Sequence, residues 1–372
     1  MSIFTGVNGV AREVKEIYVG VDGIARKVKE VFIGDEKGIA RLAWSAEITY
    51  ERVLAIASSS GVAYYIDNID TTPTITASAS TLETRYAEDI CYNSDDGIAL
   101  ASFYNNYISR SLDGGVTWTN LGVAVWSPAT YSAVVVLKYN KGVFLAYYPN
   151  IQAVAISTDN GSTWNVVTLS YYVRDIAVYN GYFYMTTSTT TNGNVDKILK
   201  STNGVSWSTH ASGLSIPQIT YHIGSFEIGN GLFVIAYDTD ASERYYFSST
   251  GTSFTVSAIA GTPSRASGKL AYSKTNDKFY RGTELNSVSY YIHSLSKSSM
   301  ASGTGMTYDL TGNTGSVTKI IPCKNNIMLL RKTSSSGVYL ENIISGVLST
   351  ITYLGLYGLM SACYCHNNGY DS

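Results

Sequence analysis

Ser111-Leu-Asp-Gly-Gly-Val-Thr-Trp118 and Ser157-Thr-Asp-Asn-Gly-Ser-Thr-Trp164 are two copies of one pattern, S-x-D-x-G-x-T-W, set 46 residues apart. Looser copies follow at Ser201-Thr-Asn-Gly-Val-Ser-Trp207 and Ser248-Ser-Thr-Gly-Thr-Ser-Phe254. Self-similarity at this period marks radial β architectures. One such unit cannot bury its own apolar face, so the copies must stack on one another. Each residue of the pattern has a physical task in a tight turn. The Asp accepts hydrogen bonds from turn amides, the Gly allows a positive φ, and the closing aromatic packs between units.

The pattern resembles the Asp-box of sialidase-like β-propellers. The resemblance implies that the box lies on the turn between the third and fourth strands of a blade, on the face away from the ligand. Ser111, Asp113, Gly115 and Trp118, then Ser157, Asp159, Gly161 and Trp164, and finally Ser201 and Trp207 are thereby structural residues.

Beyond residue 45 the units can be followed one by one. Inner strands end in Tyr-Asn or Gly-Asn corners at Tyr92-Asn93, Tyr139-Asn140, Tyr179-Asn180 and Gly229-Asn230, with less regular versions near Tyr272 and Asn325. Eroded boxes stand at Gly305–Tyr308 and Ser345–Leu348, and Tyr64–Asp67 occupies the matching place ahead of the first box. Seven units over residues 46–372 take about 47 residues apiece, close to the repeat. Arg52–Ser58 reads as a second strand with no inner strand before it, and Ser361–Gly369 as an inner strand with nothing after it. The expected fold is therefore all-β: a seven-bladed propeller over 46–372, closed by a C-terminal inner strand.

Residues 1–45 differ in kind. They hold 13 of the 54 charged side chains and repeat Gly6-Val-Asn-Gly-Val-Ala-Arg12 at Gly20–Arg26 and Gly34–Arg41. Asn8-Gly9 and Asp22-Gly23 suit two-residue hairpin turns, and the runs from Arg12 to Val19 and Arg26 to Ile33 alternate charged with apolar residues. This reads as a small β-meander. The segment resembles glycine-rich repeats at the N-terminus of phage and prophage structural proteins, which implies docking on other virion proteins and a virion location.

Composition narrows the remaining classes. The net charge of −2 offers no basic surface for nucleic acid. No signal peptide or membrane-spanning run is visible, so a soluble protein is expected. Cys91, Cys323, Cys363 and Cys365 form no disulfide framework. Cys363-x-Cys365 followed by His366 would split its side chains across both faces of a strand, so no metal or other cofactor is expected. A symmetric homo-oligomer or multi-copy component is the default for such an assembly.

Loops entering the inner strands surround the mouth of a propeller channel, and here they carry Tyr86, Trp126, Tyr131, Tyr171, Tyr172, Tyr221, His222, Tyr353 and Tyr357, with Arg174 beside them. Aromatic faces with a polar tip suit sugar rings. A sialidase would need an arginine cluster around a carboxylate, together with a Tyr nucleophile, a Glu and an Asp acid. Arg85, Arg174 and Arg265 stand near entrances, and Tyr86, Glu88 and Asp175 would have to fill the catalytic roles. The family's arginine-bearing motif ahead of the first box is absent, and that family has six blades. No enzyme is expected. The expected function is a phage virion protein, attached to tail or capsid through residues 1–45, whose propeller binds host-surface glycan. A scaffold or decoration protein without a ligand and a glycan-cleaving enzyme are the alternatives.

Overall fold

Runs such as Ile98–Phe103, buried at every position, can only be strands covered on both faces. The computed structural model describes residues 4–7, 10–13, 18–21, 24–27, 30–34, 40–45, 52–57, 62–69, 74–79, 82–93, 97–122, 135–191, 193–217, 225–238, 243–258, 269–286, 289–302, 306–309, 316–323, 327–332, 338–344, 347–353 and 359–365. The chain divides into two compact units, Met1–Tyr50 and Glu51–Ser372.

Among the described residues of the larger unit the strands form seven antiparallel four-stranded sheets. Six are built from consecutive strands, and their first strands are Ala87–Asn93, Val136–Asn140, Tyr172–Tyr179, Ser225–Gly229, Ala271–Ser273 and Ser316–Pro322. In the remaining sheet Leu359–Cys365 comes first, paired with Arg52–Ala57, and Ala63–Asp67 and Thr74–Ala77 follow. Each first strand lies beside the first strands of the two neighbouring sheets, and Leu359–Cys365 lies between Ser316–Pro322 and Ala87–Asn93. The first strands therefore make a closed ring, with the sheets radiating outward.

The core is a set of layers between facing sheets. Ile98, Leu100 and Ile108 of one sheet meet Leu137, Phe144 and Ala155 of the next. Val136, Leu145 and Tyr147 meet Ile176, Phe183 and Met185 in turn. Phe144, Tyr147 and Phe183 are fully buried, and each contributes about 1.5–3 kcal/mol by leaving water.

The turns between third and fourth strands carry the repeated pattern. Ser111 Oγ donates to Asp113 Oδ1 (2.8 Å) and accepts from Gly115 N (2.8 Å), while Asp113 accepts from Thr117 N (2.9 Å) and Thr117 Oγ1 (2.6 Å). The Ser157–Thr163 turn repeats those bonds with Asp159. Partial burial favours the neutral acid, yet the Thr117 and Ser111 bonds hold the Asp113 carboxyl below its ordinary range. A Cβ at Gly115 (φ +89°) would run into Leu54, and one at Gly161 (φ +81°) into Leu100, each in the neighbouring sheet, so glycine is what lets the turn sit this close. These turns thus lock sheets together as well as reversing the chain. Between Ser289–Leu295 and Met306–Asp309 a short helix, Lys297–Ser302, replaces the turn, and its Met300 is fully buried. The eroded box expected at Gly305–Tyr308 overlaps Met306–Asp309, the fourth strand itself.

The fold expectation needs correction at the N-terminus. The strands there do not form a meander. They form three separate hairpins, Phe4–Val7 with Val10–Glu13, Tyr18–Val21 with Ile24–Lys27, and Glu30–Gly34 with Ala40–Ser45. Val7 stands opposite Val10 and Val21 opposite Ile24; the Asn8-Gly9 and Asp22-Gly23 dipeptides between them lie outside the described residues. Among the described residues, Arg12 and Glu13 belong to a different hairpin from Tyr18 and Val19, and Arg26 and Lys27 to a different one from Glu30–Ile33. A strand of four residues can satisfy its hairpin partner without continuing into a third.

Candidate functional site

The inner ends of the sheets carry charges that the apolar pattern hides. Pairing skips one residue near the start of four inner strands, between Ala87 and Asp89, Val173 and Asp175, Val317 and Lys319, and Leu359 and Ser361. A bulge of this kind re-aims the residues on either side of it. The amides of Asp89 and Asp175 bond instead to buried hydroxyls on the second strand, Ser102 and Thr186, each at 3.1 Å.

Asp89 and Asp175 then tie the ring together. Asp89 Oδ2 accepts from Leu137 N (3.0 Å) and Asp175 Oδ2 from Phe226 N (2.9 Å), each on the next inner strand. Ser225 Oγ accepts from Leu270 N (2.7 Å) one sheet further round. Lys319 reaches Asp89 (3.0 Å) and Lys269 reaches Asp175 (3.5 Å). Each lysine comes from the sheet next but one, so these pairs meet inside the ring. Tyr147 donates its hydroxyl to Asp175.

The electrostatics follow from this arrangement. Burial opposes ionisation of Asp89, but Lys319, Lys269 and the Leu137 amide outweigh it and lower its pKa. Burial likewise opposes the charge of Lys138, and Glu227, Asp175 and Asp89 outweigh it, so that lysine is held protonated. Burial together with Asp175 pushes the Tyr147 phenol well above its ordinary value. Burial, with Cys363 and Asp89 nearby, pushes the Cys91 thiol up, away from the thiolate that reaction or metal binding needs. Cys91, Cys323 and Cys363 are free thiols, and among the described residues no cluster of three or more His, Cys, Asp or Glu could hold a metal. The interior of the ring is thus a paired ionic network whose Asp175 and Asp89 oxygens are occupied by protein donors.

Glu88 differs. Its carboxylate accepts from Val135 N (2.5 Å), but burial, together with the neighbouring Asp89 charge, lifts its pKa to about 7. An acid whose pKa is raised on folding binds its proton more tightly in the native state. Glu88 therefore subtracts stability as pH climbs from about 4.5 to 7. Glu88→Gln is expected to flatten that part of the Tm-against-pH curve, leaving pH 4.5 little changed; parallel curves for the two proteins would refute it.

The other candidate surface is the sheet end opposite the S-x-D turns, where chain enters the first strand and passes from second to third. Tyr86 is 62% exposed and Tyr104 37%. Tyr104 N donates to Tyr86 O (2.8 Å), which continues the register of Ala87 opposite Phe103 and makes the two a cross-strand pair on one face. Beside them Arg85 lies over the Tyr107 ring, 3.6 Å from its centroid, and pairs with Glu83 (3.1 Å). Tyr171 and Tyr172 are half-buried, and Tyr171 stacks with Lys197.

Arg174 is 3% exposed. Its guanidinium donates to Asn150 Oδ1, Thr190 O (3.1 Å) and Gly193 O (2.8 Å), so it braces two loops and offers no fork to a ligand. Tyr353 ends the strand Val347–Tyr353, opposite Tyr339. Trp126, Tyr131, Tyr221, His222, Tyr357, Arg265 and His366 lie outside the described residues. Sequence reasoning missed Tyr104 and the three inner lysines. Tyr104 is legible only through its pairing with Tyr86. The inner acids have a faint signal, since Glu88-Asp89-Ile90 and Arg174-Asp175-Ile176 both place Asp between a charged residue and Ile.

Radial four-stranded sheets around a ring of inner strands define the chain as a β-propeller, a rigid scaffold that presents loops for ligand or protein interactions. Among solved structures it is similar to a candidate 6-phosphogluconolactonase from Bacteroides fragilis, with a TM-score of 0.56, 11% identity, and 86% of this chain and 99% of that one covered. It is also similar to YCF48 bound to a D1 peptide, with a TM-score of 0.51, 14% identity, and 71% and 81% covered. The WD40 propeller domain of Doa1 gives a TM-score of 0.50 at 14% identity, with 77% and 91% covered. At these identities the likeness is one of fold. No protein-family model matches the sequence, and no curated protein is similar to it. Among the described residues no helix is long and apolar enough to cross a membrane.

Proposed function

We propose that this chain is a virion structural protein that binds glycan on the host surface through the entrance face of its propeller, with residues 1–45 docking on other virion proteins. The observation that carries the reading is the exposed cross-strand pair of Tyr86 and Tyr104. Exposed tyrosines on a rigid sheet end supply large contact area at low conformational cost. The N-terminal repeats support the virion part through the family resemblance of their Gly-Val-Asn-Gly-Val-Ala-Arg units.

The test is binding of the full chain to intact cells of a candidate host and to a glycan array. The protein is expected to bind saturably, and Tyr86→Ala/Tyr104→Ala to lose about tenfold or more in affinity, since 1.4 kcal/mol is one decade. Both rings are exposed enough that the double variant should melt with the wild type. No binding by folded protein would replace this reading with a virion scaffold.

A further inference from the structure

We propose that the sugar taken by the Tyr86–Tyr104 face is a neutral pyranose rather than an acidic one; this rests on the glycan-binding reading above. The inference comes from the charges that flank the two rings. An anionic sugar needs a cation with open donors, ideally a guanidinium fork that grips the carboxylate with two bonds. At this sheet end, over residues 82–86, 103–107 and 119–122, the charged side chains are Glu83 and Arg85 alone. They are already joined: Arg85 Nη1 lies 3.1 Å from Glu83 Oε1. Arg85 Cζ also lies 3.6 Å from the centroid of the Tyr107 ring. Its charge is matched by Glu83 and one face lies over Tyr107, while the side chain is 36% exposed.

Glu83 is held just as firmly. Its side chain is 11% exposed, Thr84 N donates to Oε1 (3.1 Å) and Asn120 Nδ2 donates to Oε2 (2.9 Å). A carboxylate brought to Arg85 would have to displace Glu83 or sit against it, and two carboxylates around one guanidinium repel. The next acid along the chain, Glu88, adds no positive charge. A neutral pyranose meets none of these obstacles. Its C–H face can lie on an exposed tyrosine ring, and its hydroxyls find the phenol tips and the amide-bearing Asn105 at the same sheet end.

The experiment compares two series of size-matched oligosaccharides by saturation-transfer NMR and titration calorimetry on the full chain. Neutral probes are gluco-, galacto- and N-acetylglucosamine trisaccharides; acidic probes are 3′-sialyllactose and trigalacturonate. The expected result is binding of at least one neutral probe, at least about tenfold weaker binding of the acidic probes, and loss of the neutral signal in Tyr86→Ala. Glu83→Gln, which leaves Arg85 unmatched, should narrow the gap between the series at least threefold. Acidic probes bound as tightly as neutral ones, with Tyr86→Ala abolishing both, would overturn the neutral preference and leave glycan binding standing. Silence towards both series, from protein that still binds host cells, would overturn the glycan reading itself.

Discussion

Asp175→Ala is expected to destabilise the propeller by roughly 3–5 kcal/mol, the range for removing one partner of a buried charged group. At roughly 2–4 °C per kcal/mol for a unit of this size, Tm should fall on the order of 10 °C. Asp175 is 3% exposed and holds four groups at once: the Tyr147 hydroxyl, its own neighbour's amide at Ile176 (3.0 Å), the Phe226 amide on the next inner strand (2.9 Å) and Lys269 (3.5 Å). Alanine leaves the phenol without its acceptor and the Phe226 amide without a partner, each costing about 1–3 kcal/mol, and leaves Lys269 against the Tyr147 hydroxyl (3.5 Å) without its counter-charge. Ser225→Ala breaks the equivalent neutral tie to Leu270, and is expected to cost only about 1 kcal/mol. Thermal and urea unfolding of the two variants decide the point. If Asp175→Ala unfolds within 1 kcal/mol of Ser225→Ala, the inner ionic network is not what holds neighbouring sheets in place.

That network explains where the sequence stops being readable. The S-x-D-x-G-x-T-W turns are local objects. The side-chain bonds of Ser111 and Asp113 are made within four residues along the chain, so residue type and spacing are enough to recognise them. The inner ring is assembled from pairs such as Lys319 and Asp89, which are 230 residues apart. No window along the chain contains both. The bulges compound this, because skipping one residue at Glu88 or Arg174 changes which side chains face the neighbouring sheet, and simple alternation assigns them wrongly.

The entrance face was legible only in part for a related reason. Tyr86 could be singled out as an aromatic in an entering loop, but nothing in a list of tyrosines separates it from Tyr171, which packs against the core beside Val173 and Ile176. Exposure is set by what the other strand contributes, and Tyr104 lies on another strand. Arg174 shows the converse. Its position near an entrance suggested a carboxylate clamp, whereas Asn150 and the carbonyls of Thr190 and Gly193, 16 to 24 residues away along the chain, occupy its two terminal nitrogens. At the N-terminus the pairing of strands on either side of the Asn-Gly and Asp-Gly dipeptides was readable, and the division into separate hairpins was not. A charged-apolar alternation reports a wet face without saying where pairing ends.

Replacing Gly229 by tyrosine, the residue its own repeat favours, is expected to destabilise the protein. Inner strands end in Tyr92-Asn93, Tyr139-Asn140 and Tyr179-Asn180, and at the fourth such corner glycine stands before Asn230. Its φ is not in the left-handed region, so backbone freedom does not require it. Space does. A Cβ there would lie 2.2 Å from both Cγ and Cδ2 of the Tyr272 ring and 2.5 Å from Cδ1. The ring cannot easily withdraw, because its hydroxyl donates to Asp277 Oδ1 (2.8 Å), which also takes Asn230 Nδ2 (3.3 Å), and its face packs on Phe279. Gly229→Ala should therefore cost about 1–3 kcal/mol, as overpacking does, against the few tenths to 1 kcal/mol of gain that alanine brings by restricting the unfolded chain. Gly229→Tyr should cost more. The cause is isolated by a double-mutant cycle: with Tyr272→Ala in place, Gly229→Ala should become neutral or stabilising, a coupling of 1 kcal/mol or more between residues in contact. Additive losses in that cycle, or a Gly229→Ala protein as stable as the parent, would show that the corner tolerates a side chain and that glycine is there for some other reason.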